Sequence, residues 1–228
     1  MSNRDTLANE KRRLTNMRVL VITTIVLLVV GAVFVLVNSR SDWFAAKFYL
    51  NTQESDLRLS WLKKDKIIEA LKLKPGQKIA DIGAGTGLFS WPIARKVAPG
   101  GVVFAVDINP ILLKEIERKA KEKGINNIRV VTATETDPRI PEKVDLIFCC
   151  SIIHYIDDQI VYFEKLRDYL KPYGRVAIID ISKNHMLSYR VKYSPAQQEN
   201  WLRTAGFELV DDYDFMDKFY FSVYRQSR

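Results

Sequence analysis

From Lys78 to Gln226 the chain alternates short apolar runs rich in Val and Ile with longer segments of helical period, and this alternation leaves few folds open. "KIADIG", "GVVFAVDI", "IRVVTAT", "VDLIFCCSI" and "GRVAIIDI" are apolar throughout, the pattern of strands covered on both faces. "LFSWPIARKVA", "PILLKEIERKAKEKG", "DQIVYFEKLRDYL" and "SPAQQENWLRTAG" read as the helices between and after them. In the second of these, Pro110 suits the first turn, Leu112, Leu113 and Ile116 form one apolar stripe, and Gly124 suits the C-terminal cap. Lys-Pro-Tyr-Gly at 171–174 reads as the stop of the third helix. Strands separated by helices predict a parallel sheet of five or six strands with helices on both faces. The last two strands, "FELVDDYDF" and "KFYFSVYRQ", have only Met216 and Asp217 between them. A helical crossover does not fit there, so the pair is expected to be an antiparallel hairpin, with the antiparallel strand at the end of the sheet.

The first strand runs into "ADIGAGTGLFS", Ala80 to Ser90, where Gly83, Gly85 and Gly87 fall on alternate residues and Asp81 precedes them. Glycine inside a regular element costs about 0.5–1 kcal/mol against alanine, so three in five positions imply a special backbone need. Between a strand and a helix, that need is a tight turn whose backbone approaches a ligand beside the free N–H groups of the helix start. A dinucleotide fingerprint is spaced G-x-G-x-x-G, whereas here the pattern is D-x-G-x-G-x-G. The second strand ends at Asp107, followed by Ile108, where an acid can chelate the two hydroxyls of a ribose.

With these residues in place, "IADIGAGTGLFSWPIA", "VFAVDINP", "VDLIFCCSIIHYI" and "LKPYGRVAIIDI" resemble the successive motifs of class I S-adenosylmethionine-dependent methyltransferases. The resemblance runs from about Trp61 to Tyr224 and is closest to a small-molecule type in which patterns like "TETDPRIP" and His-Tyr recur. It implies a Rossmann-like fold and S-adenosyl-L-methionine as cofactor. By that resemblance Asp81, Gly83, Gly85 and Gly87 would hold the methionine portion. Asp107, with Ile108 beside it, would bind the ribose, and Thr134 and Glu135 would lie by the adenine. Ser151 to His154 would close over the cofactor and face the acceptor. The chain departs from many relatives at Ala133, where they carry an acid.

Methyl transfer is an in-line displacement, so a protein must position the acceptor and, for an acidic acceptor, remove a proton. The chain has two histidines, His154 after the fourth strand and His185 after the fifth, both on the edge where ligands bind in such sheets. They are the catalytic candidates together with Tyr155, and Asp180 is a further one. No D/N-P-P-Y/F motif of the kind used to methylate amino groups is present. The two cysteines, Cys149 and Cys150, are adjacent in a strand pattern and would point to opposite faces; no metal site is expected.

The N-terminal third differs from the rest. Of the net charge of +8, the residues before Pro75 carry +6 (13 Lys/Arg against 7 Asp/Glu). Residues 19–37, "VLVITTIVLLVVGAVFVLV", hold no charge and as a helix would be about 28 Å long, close to the ~30 Å of a bilayer core. The run is flanked by Arg12, Arg13, Arg18 and Arg40 and followed by Trp43, Phe44, Phe48 and Tyr49. A spanning anchor is the expected reading. The run is long for a signal peptide, and it is apolar all round, unlike a soluble surface helix. Basic flanks beside such a segment read as lipid-facing, so no nucleic-acid partner is expected. The charge bias would leave the N-terminus in the cytosol and the domain outside. A charged cofactor made in the cytosol argues the reverse, and the cytosolic side is the expectation. Those aromatics, with Trp61 and Trp91, would form a lid, an interfacial belt or core.

The expected organisation is a basic arm (1–18), a transmembrane helix (19–37), a juxtamembrane segment (38–60) and a methyltransferase domain (61–228). The expected function is methyl transfer to a lipophilic small molecule or lipid. Methylation of a membrane-protein side chain, or cofactor binding without turnover, remain open alternatives that turnover would separate.

Overall fold

In the computed structural model, residues 61–181 and 193–227 are described, with scattered helical positions between 16 and 29. The chain divides into two compact units, Met1–Tyr49 and Leu50–Arg228. The second holds α1 (Lys64–Ala70), β1 (Lys78–Ile82), α2 (Ser90–Val97), β2 (Val102–Asp107), α3 (Pro110–Glu122), β3 (Ile128–Thr132), β4 (Val144–Cys150), α4 (Gln159–Asp168), β5 (Leu170–Ile181), α5 (Pro195–Thr204), β6 (Phe207–Tyr213) and β7 (Phe219–Gln226). This is the α/β, Rossmann-like architecture expected.

The seven strands form one sheet in the order β3-β2-β1-β4-β5-β7-β6. β1 to β5 are mutually parallel, and β7 is antiparallel to both β5 and β6. The hairpin and the antiparallel last strand, β7, are therefore as expected, but β7 does not lie at the edge of the sheet. β7 inserts between β5 and β6, so the edge strand is β6. The reason is apolar content: Phe221 and Val223 of β7 are fully buried, whereas Leu209 and Val210 of β6 are exposed, and the greasier strand takes the central place.

A second correction concerns residues 171–174. They do not stop a helix but lie inside β5, where the register against β4 shifts between Val144 and Leu146. Tyr173, at φ 66°, takes the left-handed turn that absorbs the extra residues.

Alternation along each strand divides the core between the two faces of the sheet. Ala80, Ile82, Val176 and Ile178 pack with Phe163 of α4 and Leu202 of α5. Ile79, Phe148, Ala177 and Ile179 pack on the other face with Ile67 of α1 and Ile93 of α2. By this parity Asp81 shares the face of Ile79, and Asp180 shares that of Ile178. Two acids near the C-terminal ends of strands are thus directed to opposite sides of one sheet.

Residues 19–37 lie largely outside the described residues, as do the 38–60 segment, Trp43, Phe44, Phe48, Tyr49 and His185. Among the described residues no helix is long and apolar enough to cross a membrane. Val21, Ile25, Leu27, Leu28 and Val29 are helical and exposed. Trp61 packs against the α1–α2 side of the core, and Trp91 packs near Ala84 and Leu113, so these two belong to the core rather than to a lid.

Candidate active site

In the order β3-β2-β1-β4-β5, the connections leave β1 and β4 toward opposite sides, which opens a crevice at the C-terminal ends of these two strands. The loop after β1 fills one wall. Gly83, Gly85 and Gly87 all take positive φ (71°, 54° and 83°), a backbone path closed to most side chains. Gly83 and Ala84 donate to the Val106 carbonyl at 2.8 and 3.0 Å, which ties the loop to β2. A Cβ on Gly83 would stand 2.1 Å from Ile152 Cγ2, and one on Gly87 would stand 2.8 Å from the Trp91 indole. Two of the three glycines are thus required by the protein's own packing. The contact of Gly83 with Ile152 is also what joins the β1 wall to the β4 wall.

Asp107, at the end of β2, is half-buried, and its carboxylate is oriented by backbone donors. Oδ2 accepts from Gly85 N–H at 2.9 Å, and Oδ1 accepts from Asn109 N–H at 2.8 Å. Asn109 in turn caps α3 by accepting from Ile111 N–H at 2.9 Å. Burial raises the Asp107 pKa, opposed by the backbone N–H groups of Asn109, Gly85 and Ile108. Ile108 beside it is 59% exposed. The end of β3 is stitched on by Ala133 N–H to the Asp107 carbonyl at 3.0 Å. Thr134 closes its own turn, its N–H donating to the Asp137 carbonyl at 2.9 Å, and Glu135 is exposed.

Asp81 is buried, and Ser90 Oγ donates to its Oδ2 at 2.5 Å. Loss of water pushes the Asp81 pKa up to about 7; the Ser90 hydrogen bond pulls it down and the Asp107 charge adds to the rise.

The other wall follows β4. Ser151 takes φ 56° and donates its N–H to the Ile179 carbonyl of β5 at 2.8 Å. That kink leads into a 3-10 turn, Ile153–Tyr155, which turns His154 onto β5. His154 Nδ1 lies 3.2 Å from Asp180 Oδ1 and 3.3 Å from Oδ2. The His154 side chain is 5% exposed and that of Asp180 is 0%. Asp180 also accepts from Ile181 N–H at 2.8 Å and from the Tyr193 hydroxyl at 2.7 Å. The Tyr155 ring lies 4.2 Å from that of His154 and is exposed. A carboxylate at Nδ1 selects the tautomer with its proton there and leaves the Nε2 lone pair as the proton acceptor.

The fold thus gathers Asp81, the glycines, Asp107, Ile108 and Thr134 on one wall and Ser151, His154 and Tyr155 on the other. It adds residues the sequence reading did not single out: Ser90, Tyr193, Gln198 and Tyr220. One signal was available. Asp180 has the parity of Val176 and Ile178, so it had to be a buried acid in need of donors, and hydroxyl-bearing side chains follow within about forty residues.

These residues fit S-adenosylmethionine. Asp107 has lone pairs left over after two backbone donors, enough to accept from two vicinal hydroxyls. Ile108 offers an exposed apolar face suited to a planar base. Asp81 supplies a buried negative charge beside the loop, which a cation can compensate.

A sequence model of the ubiE/COQ5 methyltransferase family matches residues 24–221. The chain is 30% identical over 103 residues to an aklanonic acid methyltransferase, DauC, of Streptomyces sp. (strain C5), covering 45% of this chain and 47% of that protein. It is 28% identical over 141 residues to the ubiquinone/menaquinone biosynthesis C-methyltransferase UbiE of Shewanella sp. (strain W3-18-1), covering 61% and 56%. The chain thus spans about half the length of these curated relatives. A crystal structure of a SAM-dependent methyltransferase from Aquifex aeolicus shares the fold, with a TM-score of 0.70 at 23% identity over 76% of this chain and 95% of that one. With a match that takes in the glycine loop, Asp107 and the β4–β5 wall alike, the chain belongs to the ubiE/COQ5 methyltransferase family of S-adenosylmethionine-dependent enzymes.

Proposed function

We propose that the protein transfers a methyl group from S-adenosylmethionine to a lipophilic, quinone-like small molecule, with His154 taking the acceptor's proton. The observation that carries this reading is the His154–Asp180 pair, oriented at the ends of β4 and β5 across the crevice from the glycine loop. When bound, the cofactor supplies a methyl group on a sulfonium, which is already a good leaving group. The protein's part is then placement and proton removal. Asp107 and Ile108 would hold the nucleoside end, and the buried Asp81 carboxylate would favour the cationic end. His154 Nε2 accepts the proton from a ring C–H or an O–H as the acceptor gains its methyl, and Asp180 offsets the imidazolium charge.

The quinone-like acceptor is supported by the UbiE relative and by the site's lack of an amino-group motif. In the same reading residues 19–37 anchor the chain, with the domain on the cytosolic side. The exposed apolar side chains of Val21, Ile25, Leu27, Leu28 and Val29 support the anchor, because a lipid environment would cover them. A tether would concentrate the enzyme where such acceptors partition. The acceptor is tested by incubating the full chain in micelles with labelled cofactor and with a prenylated benzoquinol or naphthoquinol. A product heavier by one methylene is expected, and no product from either, with turnover instead on a membrane protein, would overturn the acceptor class. Protease added to sealed right-side-out vesicles tests sidedness: digestion of the domain while a cytosolic marker survives would refute the cytosolic assignment.

A further inference from the structure

Polar contacts continue from Asp180 away from His154. Tyr193, just ahead of α5, donates its hydroxyl to Asp180 Oδ2 at 2.7 Å. The Tyr220 hydroxyl, on β7, lies against that of Tyr193 and is 2.7 Å from Gln198 Oε1 on α5. Gln198 is 0% exposed, and its Nε2 is the buried side-chain nitrogen or oxygen without a hydrogen-bond partner among the described residues. Leaving a buried donor unpaired is costly.

Half a turn of the Gln198 amide removes the conflict, because it exchanges nitrogen and oxygen in space without moving anything else. Nε2 then donates to the Tyr220 oxygen. Tyr220 is free to donate to the Tyr193 oxygen, and Tyr193 donates to Asp180. The displaced Oε1 faces the Tyr224 hydroxyl, which also lies beside this amide. Each hydroxyl uses its single proton once, and every donor points toward Asp180. Burial first, and the Asp180 charge second, raise the pKa of both Tyr193 and Tyr220, so both phenols keep the proton this arrangement requires.

We infer that Gln198, Tyr220 and Tyr193 form a one-way hydrogen-bond chain that fixes the Asp180 carboxylate against His154 Nδ1, which makes them positioning residues for the base. The inference rests on the reading of His154 as proton acceptor, but its test does not. The groups facing the pair are Tyr155 on the 3-10 turn, Cys149 on β4, Tyr220 on β7 and Tyr193 ahead of α5. Removing the last donor leaves more of the Asp180 charge to act on His154, so the imidazolium is favoured and its titration moves up.

The experiment is nitrogen NMR of the full chain in micelles with labelled histidine. Only two histidines occur, so His185→Asn assigns the signals. The wild type is expected to carry its neutral-form proton on Nδ1 of His154. Tyr193→Phe, which keeps the edge contact with Trp201, should move the His154 midpoint upward. Tyr220→Phe should raise it by less, and the double variant should match Tyr193→Phe alone, because one cut severs the chain. An unmoved midpoint in Tyr193→Phe, or shifts that add in the double variant, would overturn the chain, since side chains serving only packing would change stability and leave the titration alone. A shifted midpoint with methyl transfer intact would keep the chain and remove His154 as base. Lost transfer in His154→Ala with no shift in the tyrosine variants would do the opposite.

Discussion

Asp81 and Asp180 invite comparison because so much about them is alike. Both are acids at or next to the penultimate position of a central parallel strand, both are almost wholly buried, and both lie at the C-terminal edge where ligands bind. They differ in who supplies their hydrogen bonds. Asp180 receives the Ile181 N–H, the Tyr193 hydroxyl and His154 Nδ1, from three separate parts of the chain. Asp81 is served by Ser90 alone, through its hydroxyl and its backbone, and burial drives its pKa to about 7. A buried charge persists only with partners. The protein itself provides them on the α5 side of the sheet. On the α2 side it provides fewer, and the cofactor's positive charge is the natural complement. In the proposed reading one acid serves a proton transfer and the other a cation.

The largest effect should come from breaking the better-served acid. In Asp180→Asn the amide can donate to Nδ1 and so favour the wrong histidine tautomer; kcat is expected to fall by about 10³-fold, toward the loss expected of His154→Ala. Cofactor affinity, measured by calorimetry, should change by less than about threefold in both. If affinity collapses while kcat holds, the pair belongs to cofactor binding, and the contrast between the two acids disappears.

Asp81 tests the other side through pH. Its pKa in the folded protein is about 7 against an ordinary 3.8, so the native state binds this proton more tightly than the unfolded chain does. Stability from this group is therefore present at low pH and is lost as pH rises from about 4 to about 7, amounting to roughly 4 kcal/mol at the top of the window. Asp81→Asn should lack that slope: thermal melts without cofactor should show the variant more stable than the wild type at pH 8 and similar near pH 4. At pH 8 the variant should bind S-adenosylmethionine at least tenfold more weakly, because the ionised acid is what favours the cation. Equal pH slopes in the two proteins would mean that Asp81 is not strained by burial.

The two acids were not equally legible in the sequence. Asp81 stood out because the glycine spacing after it is a local pattern, and local patterns survive in one dimension. The strands and helices of β1 to β5 were legible for the same reason. What decided the rest was long-range. Nothing near Gly83 announces that Ile152, almost seventy residues on, occupies the space of its Cβ. Residues 171–174 carry the composition of a helix stop, and only pairing with β4 turns them into part of a strand. The place of β7 inside the sheet depends on which hairpin strand buries more apolar surface against β5. Tyr193, Tyr220 and Gln198 are ordinary residues until the fold brings them to Asp180.

Asp107 stands between the two extremes, half-buried with two backbone donors. Asp107→Ala should weaken S-adenosylmethionine binding about tenfold, equivalent to about 1.4 kcal/mol, with kcat at saturating cofactor nearly unchanged. Comparable weakening of adenosine alone would locate the lost contact at the ribose. Weakening confined to the whole cofactor would assign Asp107 to its charged end and make it a second Asp81.

The smallest expected effect sharpens the comparison most. Ser90→Ala removes the side-chain donor to Asp81 and leaves the backbone in place. That hydrogen bond favours the ionised carboxylate, so without it the titration should climb above its value of about 7 by up to about one pH unit, or about 1.4 kcal/mol. The sign follows directly. The window over which the cofactor-free protein loses stability should extend to higher pH in the variant, and at pH 5, where Asp81 is protonated in both proteins, the two should differ little. Cofactor binding should need a correspondingly higher pH to reach full strength, since the same proton must leave. Melts and calorimetry across pH 5 to 9 read both effects on one protein. Should the midpoint stay where it is, Ser90 is a packing residue of α2, and Asp81 relies on the loop backbone rather than on a hydroxyl to carry its charge.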